Sequence, residues 1–179
     1  MNELIQDYLP RMRSSADGLV WAAGQIPRGR SRVIPLPSLG EWPAVRIVFQ
    51  VMWEEREVIL PLLRGWHDDD GVIDIPDEAQ AELAWRANQL ELPQAVAGFQ
   101  QARQDVLGLL AGLTDDALWS AQRNTPWGQV SLAWLVGRAY QQTLAYTVRL
   151  LDMALYWDLL LEAQKQARLA QAESDNDND

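Results

Sequence analysis

The last quarter of the chain contains no residue that interrupts a helix. After Gly137 neither proline nor glycine occurs, and apolar residues recur three or four positions apart, which places them on one face of an α-helix. Ser131 precedes this stretch, and serine is a favoured helix-capping residue. The sequence therefore predicts one helix over residues 131–172, much longer than the average of about 11–12 residues in globular proteins.

Three further long segments show the same periodicity. Helices are predicted over residues 2–23, 43–66 and 93–113, with a short one over 77–89. Pro61 is expected to kink or shorten the second helix, because a proline ring clashes with the preceding turn. Alternating strand patterns are nearly absent, with residues 72–75 as the one short example. The predicted fold class is all-α, an antiparallel four-helix bundle with a long extended C-terminal helix.

Length and composition predict a single domain. A chain of 179 residues that is 48% hydrophobic buries a substantial core. We expect one helical domain over residues 1–172. Residues 173–179 contain no apolar side chain, so we expect a disordered acidic tail there.

Charge and hydropathy exclude several partners. The net charge of −10 argues against nucleic acid, because duplex binding requires clustered cations. No apolar stretch approaches the roughly 20 residues of a membrane span, and the N-terminus does not resemble a signal peptide. The absence of cysteine excludes disulfides and thiolate chemistry. Arg28, Arg30 and Arg32 are a local exception; they either hold an anion or, as we favour, form a solvated loop. We expect a cytoplasmic protein.

Tryptophan is unusually frequent, and one helical segment is unusually apolar. For any one of the nine tryptophans we favour packing in the core over lining a pocket. Residues 152–161 are apolar on several sides of the predicted last helix. That surface predicts a homodimer contact, and packing against the first helix explains it equally well.

Two segments together resemble the DinB-like superfamily of helical bundles. The first runs from Gly40-Glu41-Trp42-Pro43 into the helix VFQVMWEEREVILPLLRGW. The second runs from Leu113-Thr114-Asp115-Asp116 to TPWGQVSL (residues 125–132) and the long last helix. The order and spacing of these pieces is similar to that superfamily over residues 1–150.

The resemblance implies a divalent metal held by three histidines, which would make the protein a hydrolase or transferase. The three positions correspond to Gln50, Gln142 and Tyr146, and none is histidine. The single histidine, His67, lies beyond the second helix. Glutamine amides and a protonated phenol are poor ligands for zinc, nickel or iron. We therefore expect no metal and no other cofactor.

The same positions define a candidate cavity. Helical geometry places Gln142, Tyr146 and Arg138 at the edge of the apolar stripe of the last helix, and Gln50 beside Glu54 on the second. These five residues either line a groove that binds a small molecule or are ordinary boundary positions.

Three functions stay open. The first is a metal-free binding or interaction module, and the second is a hydrolase or transferase of the superfamily, working without or with a divalent metal. In the second, Glu54 or Tyr146 handles protons and Arg138 holds an anion. The third is a purely structural homodimer. For Glu54, Glu55 and Glu57, and for residues 67–70 as a cation site, we favour solvated surface over function.

Overall fold

The chain is mostly helical, with one small sheet. The computed structural model describes residues 3–67, 75–113 and 119–176. Its helices are α1 (Glu3–Gly24), α2 (Ala44–Glu54), α3 (Leu60–Arg64), α4 (Glu78–Ala87), α5 (Leu92–Gly112) and α6 (Leu132–Asn176). Its strands are β1 (Gln122–Thr125) and β2 (Gly128–Ser131). The predicted helical character is confirmed, while residues 68–74 and 114–118, and the predictions that rest on them, lie outside the described ranges.

The long last helix begins where its cap predicts. The Ser131 hydroxyl accepts a hydrogen bond from the Trp134 amide at 3.2 Å, as a helix N-cap does. The helix continues to Asn176, so residues 173–176 are helical where a disordered tail was predicted. A continuing helix satisfies their backbone groups without needing apolar side chains.

The second predicted helix is continuous but changes its pitch. A π-helical turn, Glu55–Ile59, separates α2 from α3, and the Leu60 amide donates to the Glu55 carbonyl five residues back. This wider turn ends two residues before Pro61 and contains the residues that a proline ring would clash with in a regular α-helix. Pro61 therefore neither ends nor shortens the helical path. A 3₁₀ turn, Gly65–His67, closes it.

A β-hairpin precedes α6, where the sequence predicted no strand. β1 and β2 pair antiparallel, with Thr125 opposite Gly128, so Pro126 and Trp127 form the turn. Gly128 has φ +93°, a conformation that glycine adopts without strain. The prediction of an entirely α-helical chain was wrong here, because strands of four residues show too little periodicity to detect.

Helices α1 and α6 run in the same direction. Gly137 faces Tyr8 near the N-terminal end of both helices, and Gly18 faces Thr147 ten residues closer to the C-terminal end of both. A parallel pair needs a connection that returns along the bundle. An antiparallel arrangement was therefore wrong for this pair.

Helices α2 and α5 are also parallel neighbours. Met52 contacts Gly98, and Glu55 pairs with Arg103 further along both helices. The segment between them carries α4, which packs on α2. The antiparallel contacts are instead α1 against α5 and α2 against α6.

A buried arginine connects the helices between two apolar clusters. Arg103 on α5 donates to the Glu55 carboxylate at 2.6 Å and to the Thr143 hydroxyl on α6 at 2.7 Å. It also donates to the Met12 carbonyl on α1 at 3.0 Å. Both members of the ion pair are at least 97% buried. One charged group thus joins α1, α5, α6 and the π turn.

The apolar segment over residues 152–161 is divided between core and surface. Met153, Ala154 and Trp157 are buried, whereas Leu155 and Leu159 are exposed. Intramolecular packing explains the first group and leaves the second uncovered. Among the helices the structure describes, none is both long and apolar enough to cross a membrane.

Most tryptophans pack in the core as predicted, whereas two loop arginines depart from the prediction. Trp66, Trp119 and Trp157 are buried, and three partly buried ones, Trp42, Trp53 and Trp85, pack against the core. The remaining three, Trp21, Trp127 and Trp134, are exposed. In the predicted solvated loop, Arg32 donates to Glu91 at 3.0 Å. Arg30 lies 5.0 Å from the Trp157 ring centre.

Candidate functional site

Two polar rows face each other across a cleft between α2 and α6. On α2 the row is Arg46, Gln50 and Glu54, and on α6 it is Arg138, Gln142 and Tyr146. Each row has a spacing of four residues, which keeps its side chains on one helix face. Because the two helices run in opposite directions, Arg46 lies near Tyr146, and Glu54 near Arg138.

All five side chains predicted for the cavity line this cleft. It has a volume of about 780 Å³. Two walls were not predicted: the start of α4, and the hairpin turn with Pro126 and Trp127. Trp42 and Trp53 line it as well. The structure therefore brings together the residues that the sequence placed at helix edges and encloses them with the start of α4 and the hairpin, which the sequence did not place at the site.

Glu54 is the centre of a hydrogen-bond network. The Gln50 side-chain amide donates to its carboxylate at 2.9 Å, and Gln142 lies within hydrogen-bonding reach. Burial raises the pKa of Glu54, while Gln50, Arg138 and Gln142 oppose that rise. This carboxyl group therefore binds a proton more readily than an exposed glutamate does.

Tyr146 extends the network towards Arg46. Its hydroxyl lies within hydrogen-bonding reach of Gln142. Burial, and next the nearby Glu54 carboxylate, raise the pKa of Tyr146, with Arg149 and Arg46 acting against them. The phenol therefore stays protonated at neutral pH and acts as a hydrogen-bond donor.

The donor set at the three metal positions does not fit a transition metal. Gln50, Gln142 and Tyr146 supply two amides and a protonated phenol, which are weak ligands. Within residues 3–67, 75–113 and 119–176, no group of three or more His, Cys, Asp or Glu could hold a metal ion. Gln50 instead donates to Glu54, and Gln142 lies within hydrogen-bonding reach of both Glu54 and Tyr146.

Arg46 forms one end of the cleft. Its guanidinium lies 4.9 Å from the ring centre of Trp42 and 5.1 Å from that of Trp85. One nitrogen, Nη2, pairs with Glu82 at 2.9 Å. Nη1 is buried without a hydrogen-bond partner among the described residues. Burial lowers the pKa of Arg46, and Glu82 opposes that effect.

Arg138 belongs to the other end. Its guanidinium lies 4.6 Å from the ring centre of Trp127 at the hairpin turn and 5.9 Å from that of Trp134. Cation–π contacts of this kind contribute about 0.5–1 kcal/mol at exposed sites. Arg138 thus connects the hairpin wall to α6.

The glutamates near the π turn have separate environments. Glu54 lines the cleft, Glu55 is buried against Arg103, and Glu57 is exposed near Arg56, 3.5 Å away. Only Glu57 fits the predicted solvated surface. Residues 67–70 were also expected to be solvated surface rather than a cation site, and residues 68–70 lie outside the described ranges.

Gly40 makes room for Arg149 behind the cleft. Its φ is +100°, and a Cβ atom there would overlap the Arg149 guanidinium. That guanidinium donates to the Leu39 carbonyl at 3.3 Å and lies 5.5 Å from the Trp42 ring centre. The glycine before Trp42 in the sequence motif therefore has a backbone conformation that other residues rarely adopt, and a side chain there would displace the Arg149 guanidinium.

We expect Gly40→Ala to lower the free energy of unfolding by about 2–3 kcal/mol, because it adds steric overlap to backbone strain of about 1–2 kcal/mol. Gly29→Ala is the matched control: its φ is +80° and its Cβ would have open space. Urea denaturation of both variants measures the difference. Equal losses in the free energy of unfolding of the two variants would show that moving the Arg149 side chain aside does not destabilise the fold.

Two parts of the cleft that were not predicted have a recognisable pattern in the sequence. Arg46 precedes Gln50 by four residues, so it belongs to the same helix face. Pro126 and Gly128 flank Trp127 and are turn-forming residues. Glu82 carried no local signal, because only the packing of α4 on α2 brings it to Arg46.

The fold is similar to solved structures of a mycothiol-dependent maleylpyruvate isomerase. A histidine-to-alanine mutant of that enzyme has a TM-score of 0.67 and 13% sequence identity, covering 84% of this chain and 63% of that one. A second structure of the isomerase has a TM-score of 0.66 and the same identity and coverage. The chain therefore spans less than two-thirds of these neighbours' length. No family model and no curated protein matches the sequence.

Proposed function

We propose that this chain is a DinB-like four-helix bundle that binds a small organic molecule without a metal ion. The observation that carries the proposal is the meeting of Gln50, Glu54, Arg138, Gln142 and Tyr146 in one cleft. The shared fold with the isomerase supports the DinB-like assignment. In this proposal the superfamily's metal site has been lost.

The cleft has the size and lining of a ligand site. Its volume of about 780 Å³ lies within the roughly 300–1,000 Å³ typical of small-molecule pockets. Trp42, Trp53 and Trp127 supply apolar surface, and the polar rows supply donors and acceptors that orient a ligand. This combination favours a compound with a planar or apolar body and polar substituents.

The loss of the metal site is tested by restoring its ligands. We expect Gln50→His, Gln142→His and Tyr146→His together to create a site for one Zn²⁺, because neutral imidazoles bind zinc well. Elemental analysis after a chelator wash should find zinc in this triple variant and none in the unmodified protein. A control triple variant carries Gln141→His in place of Gln142→His, because Gln141 is exposed.

Two outcomes would contradict the proposal. Stoichiometric zinc or nickel in the unmodified protein would show that the metal site survives. Equal zinc content in the two triple variants would show that the three positions do not form one coordination site. Circular dichroism first establishes that each variant is folded.

Ligand binding is tested with 5-fluorotryptophan-labelled protein and a library of small organic fragments. We expect some fragments to shift the ¹⁹F resonances of Trp53 and Trp127 saturably. Ala79→Phe should weaken this binding because Ala79 lines the cleft. Ala87→Phe, at the other end of α4, is the matched control. A library in which no fragment shifts these resonances would contradict the proposal.

A metal-free hydrolase or transferase is the second candidate, and the environment of Glu54 favours it. A general acid or base works best with a pKa near the working pH, and burial raises the pKa of Glu54 in that direction. Tyr146 and Arg138 lie beside it as a donor and an anion-binding group. Turnover of any cleft ligand that is abolished by Glu54→Gln would establish this function.

Three further assignments complete the proposal. We propose one domain over residues 1–172, a cytoplasmic location, and a homodimer through the exposed surface of α6 at Leu155 and Leu159. The mass from light scattering at micromolar concentration tests the dimer. A monomer under those conditions would contradict it.

A further inference from the structure

The end of the cleft near Arg46 has an excess of positive charge. Arg46 pairs with Glu82 at 2.9 Å, and Arg86 pairs with the other oxygen of the same carboxylate at 2.8 Å. Arg149 lies over the nearby Trp42 ring, and no carboxylate in the described segments lies within ion-pairing distance of it. Two guanidinium groups thus share one carboxylate and a third has none among the described residues, in a chain whose net charge is −10.

The Arg46 guanidinium is held in place but not fully paired. It is 97% buried, and the Trp42, Trp85 and Phe49 rings lie within 4.9–5.6 Å of its central carbon. Only Nη2 has a carboxylate partner. Nη1 makes no hydrogen bond to any residue the structure describes. A buried charged donor without a partner is unfavourable, so a ligand that supplies an acceptor there gains binding energy.

An acceptor one helical turn away is also unpaired. Gln50 is 91% buried, its amide nitrogen donates to Glu54, and its Oε1 has no partner within the described parts of the chain. Gln50 therefore provides an acceptor beside the arginine. The charged donor gives the greater electrostatic preference, because hydrogen bonds to an ionised group are about twice as strong as neutral ones.

We propose that the ligand of this cleft carries a carboxylate that binds at Arg46, with its planar or apolar body lying along Trp42 and Trp53. A carboxylate presents two acceptor oxygens, which matches the planar nitrogen donors of an arginine. The indole rings favour a body that inorganic anions lack. This inference rests on the proposed small-molecule site and adds the chemical class of the ligand and the end of the cleft that recognises it.

The test compares benzoate with benzamide, which have the same ring and differ in charge. Each is titrated into 5-fluorotryptophan-labelled protein, with resonances assigned by single Trp→Phe variants. We expect benzoate to shift Trp42 and Trp85 saturably and to bind about fivefold more tightly than benzamide, or about 1 kcal/mol. Inorganic phosphate at the same concentrations should shift these resonances less than benzoate.

A second test, Glu82→Gln, is expected to raise the affinity for benzoate. It leaves the buried Arg46 side chain intact. The Gln side chain still accepts a hydrogen bond from Arg46 but no longer neutralises it, so benzoate should bind about fivefold more tightly. Glu78→Gln is the matched control, because Glu78 also lines the cleft on α4 and makes no described ion pair with Arg46. It should change the affinity by less than about twofold.

The possible outcomes separate this inference from the proposed function. Equal binding of benzoate and benzamide, with shifts at Trp53 and Trp127, would overturn the carboxylate subsite and leave the small-molecule site standing. Phosphate binding as tightly as benzoate would overturn the role of the planar body. Absence of a benzoate shift at Trp42 at saturating fragment concentrations would also overturn the subsite, as would equal effects of Glu82→Gln and Glu78→Gln.

Discussion

Replacement of Arg103 by methionine is expected to lower the free energy of unfolding by about 3–5 kcal/mol, because it leaves the buried Glu55 carboxylate without its counter-charge. The variant also loses the hydrogen bonds to Thr143 and to the Met12 carbonyl, which connect α5 to α6 and α1. Urea denaturation with fluorescence detection measures the loss. Arg56→Met is the control beside Glu55 in the π turn, because Arg56 is exposed and its ion pair among the described residues is with exposed Glu57.

A double variant separates the ion pair from general packing. Arg103→Met combined with Glu55→Met removes both charges, and replacing a buried ion pair by apolar residues is often neutral or stabilising. We therefore expect the double variant to recover most of the stability lost in Arg103→Met. A double variant as unstable as the sum of the two single variants would show that the pair is not energetically coupled.

The second large effect is a pH dependence that Glu54→Gln removes. Burial raises the pKa of Glu54 in the folded protein above the ordinary 4.5. Between pH 4.5 and the folded-state pKa, the folded protein therefore binds more protons than the unfolded chain. The contribution of Glu54 to stability therefore decreases as pH rises from about 4.5 through the folded pKa. One group changes the free energy of unfolding by at most about 1.4 kcal/mol per pH unit.

The difference in the free energy of unfolding between Glu54→Gln and the unmodified protein isolates the contribution of Glu54. We expect Glu54→Gln to become progressively more stable than the unmodified protein as pH rises through this interval, with a constant difference above it. Urea denaturation at a series of pH values measures the free energy of unfolding. Glu57→Gln serves as the control because Glu57 is exposed. A difference that stays constant from pH 4 to pH 8 would contradict the raised pKa.

The positions of the helices were largely predictable from local signals. α1, α4 and α5 begin and end within about two residues of the predicted bounds, and Ser131 caps α6 as expected. Apolar periodicity, caps and helix-breaking residues act over one or two turns, so they are visible along the chain. The hairpin was missed because strand pairing depends on a partner rather than on local periodicity.

The candidate site was predicted in part. Gln50, Glu54, Arg138, Gln142 and Tyr146 were identified from helical spacing and the family resemblance, and all five line one cleft. Their environments were not predictable. Burial decides the protonation of Glu54, and neighbours from other elements decide whether a side chain is paired.

Two adjacent glutamates show that neighbours in the sequence can have different environments in the fold. Glu54 and Glu55 have the same chemistry and neighbouring positions, yet one lines the cleft and the other is buried against Arg103. A rotation of about 100° between successive helical residues directs them to different surroundings. The sequence alone does not indicate which surroundings are solvent, cleft or core.

The long final helix, the helical class and the presence of a single histidine, His67, follow from the sequence by itself. They depend on residue identity and on spacings within one helix. The tertiary structure alone decided the parallel direction of α1 and α6, the cleft enclosed by α4 and the hairpin, and the incomplete pairing of Arg46. These features depend on contacts between residues far apart in the chain, and such contacts are selected by packing and desolvation across the whole fold.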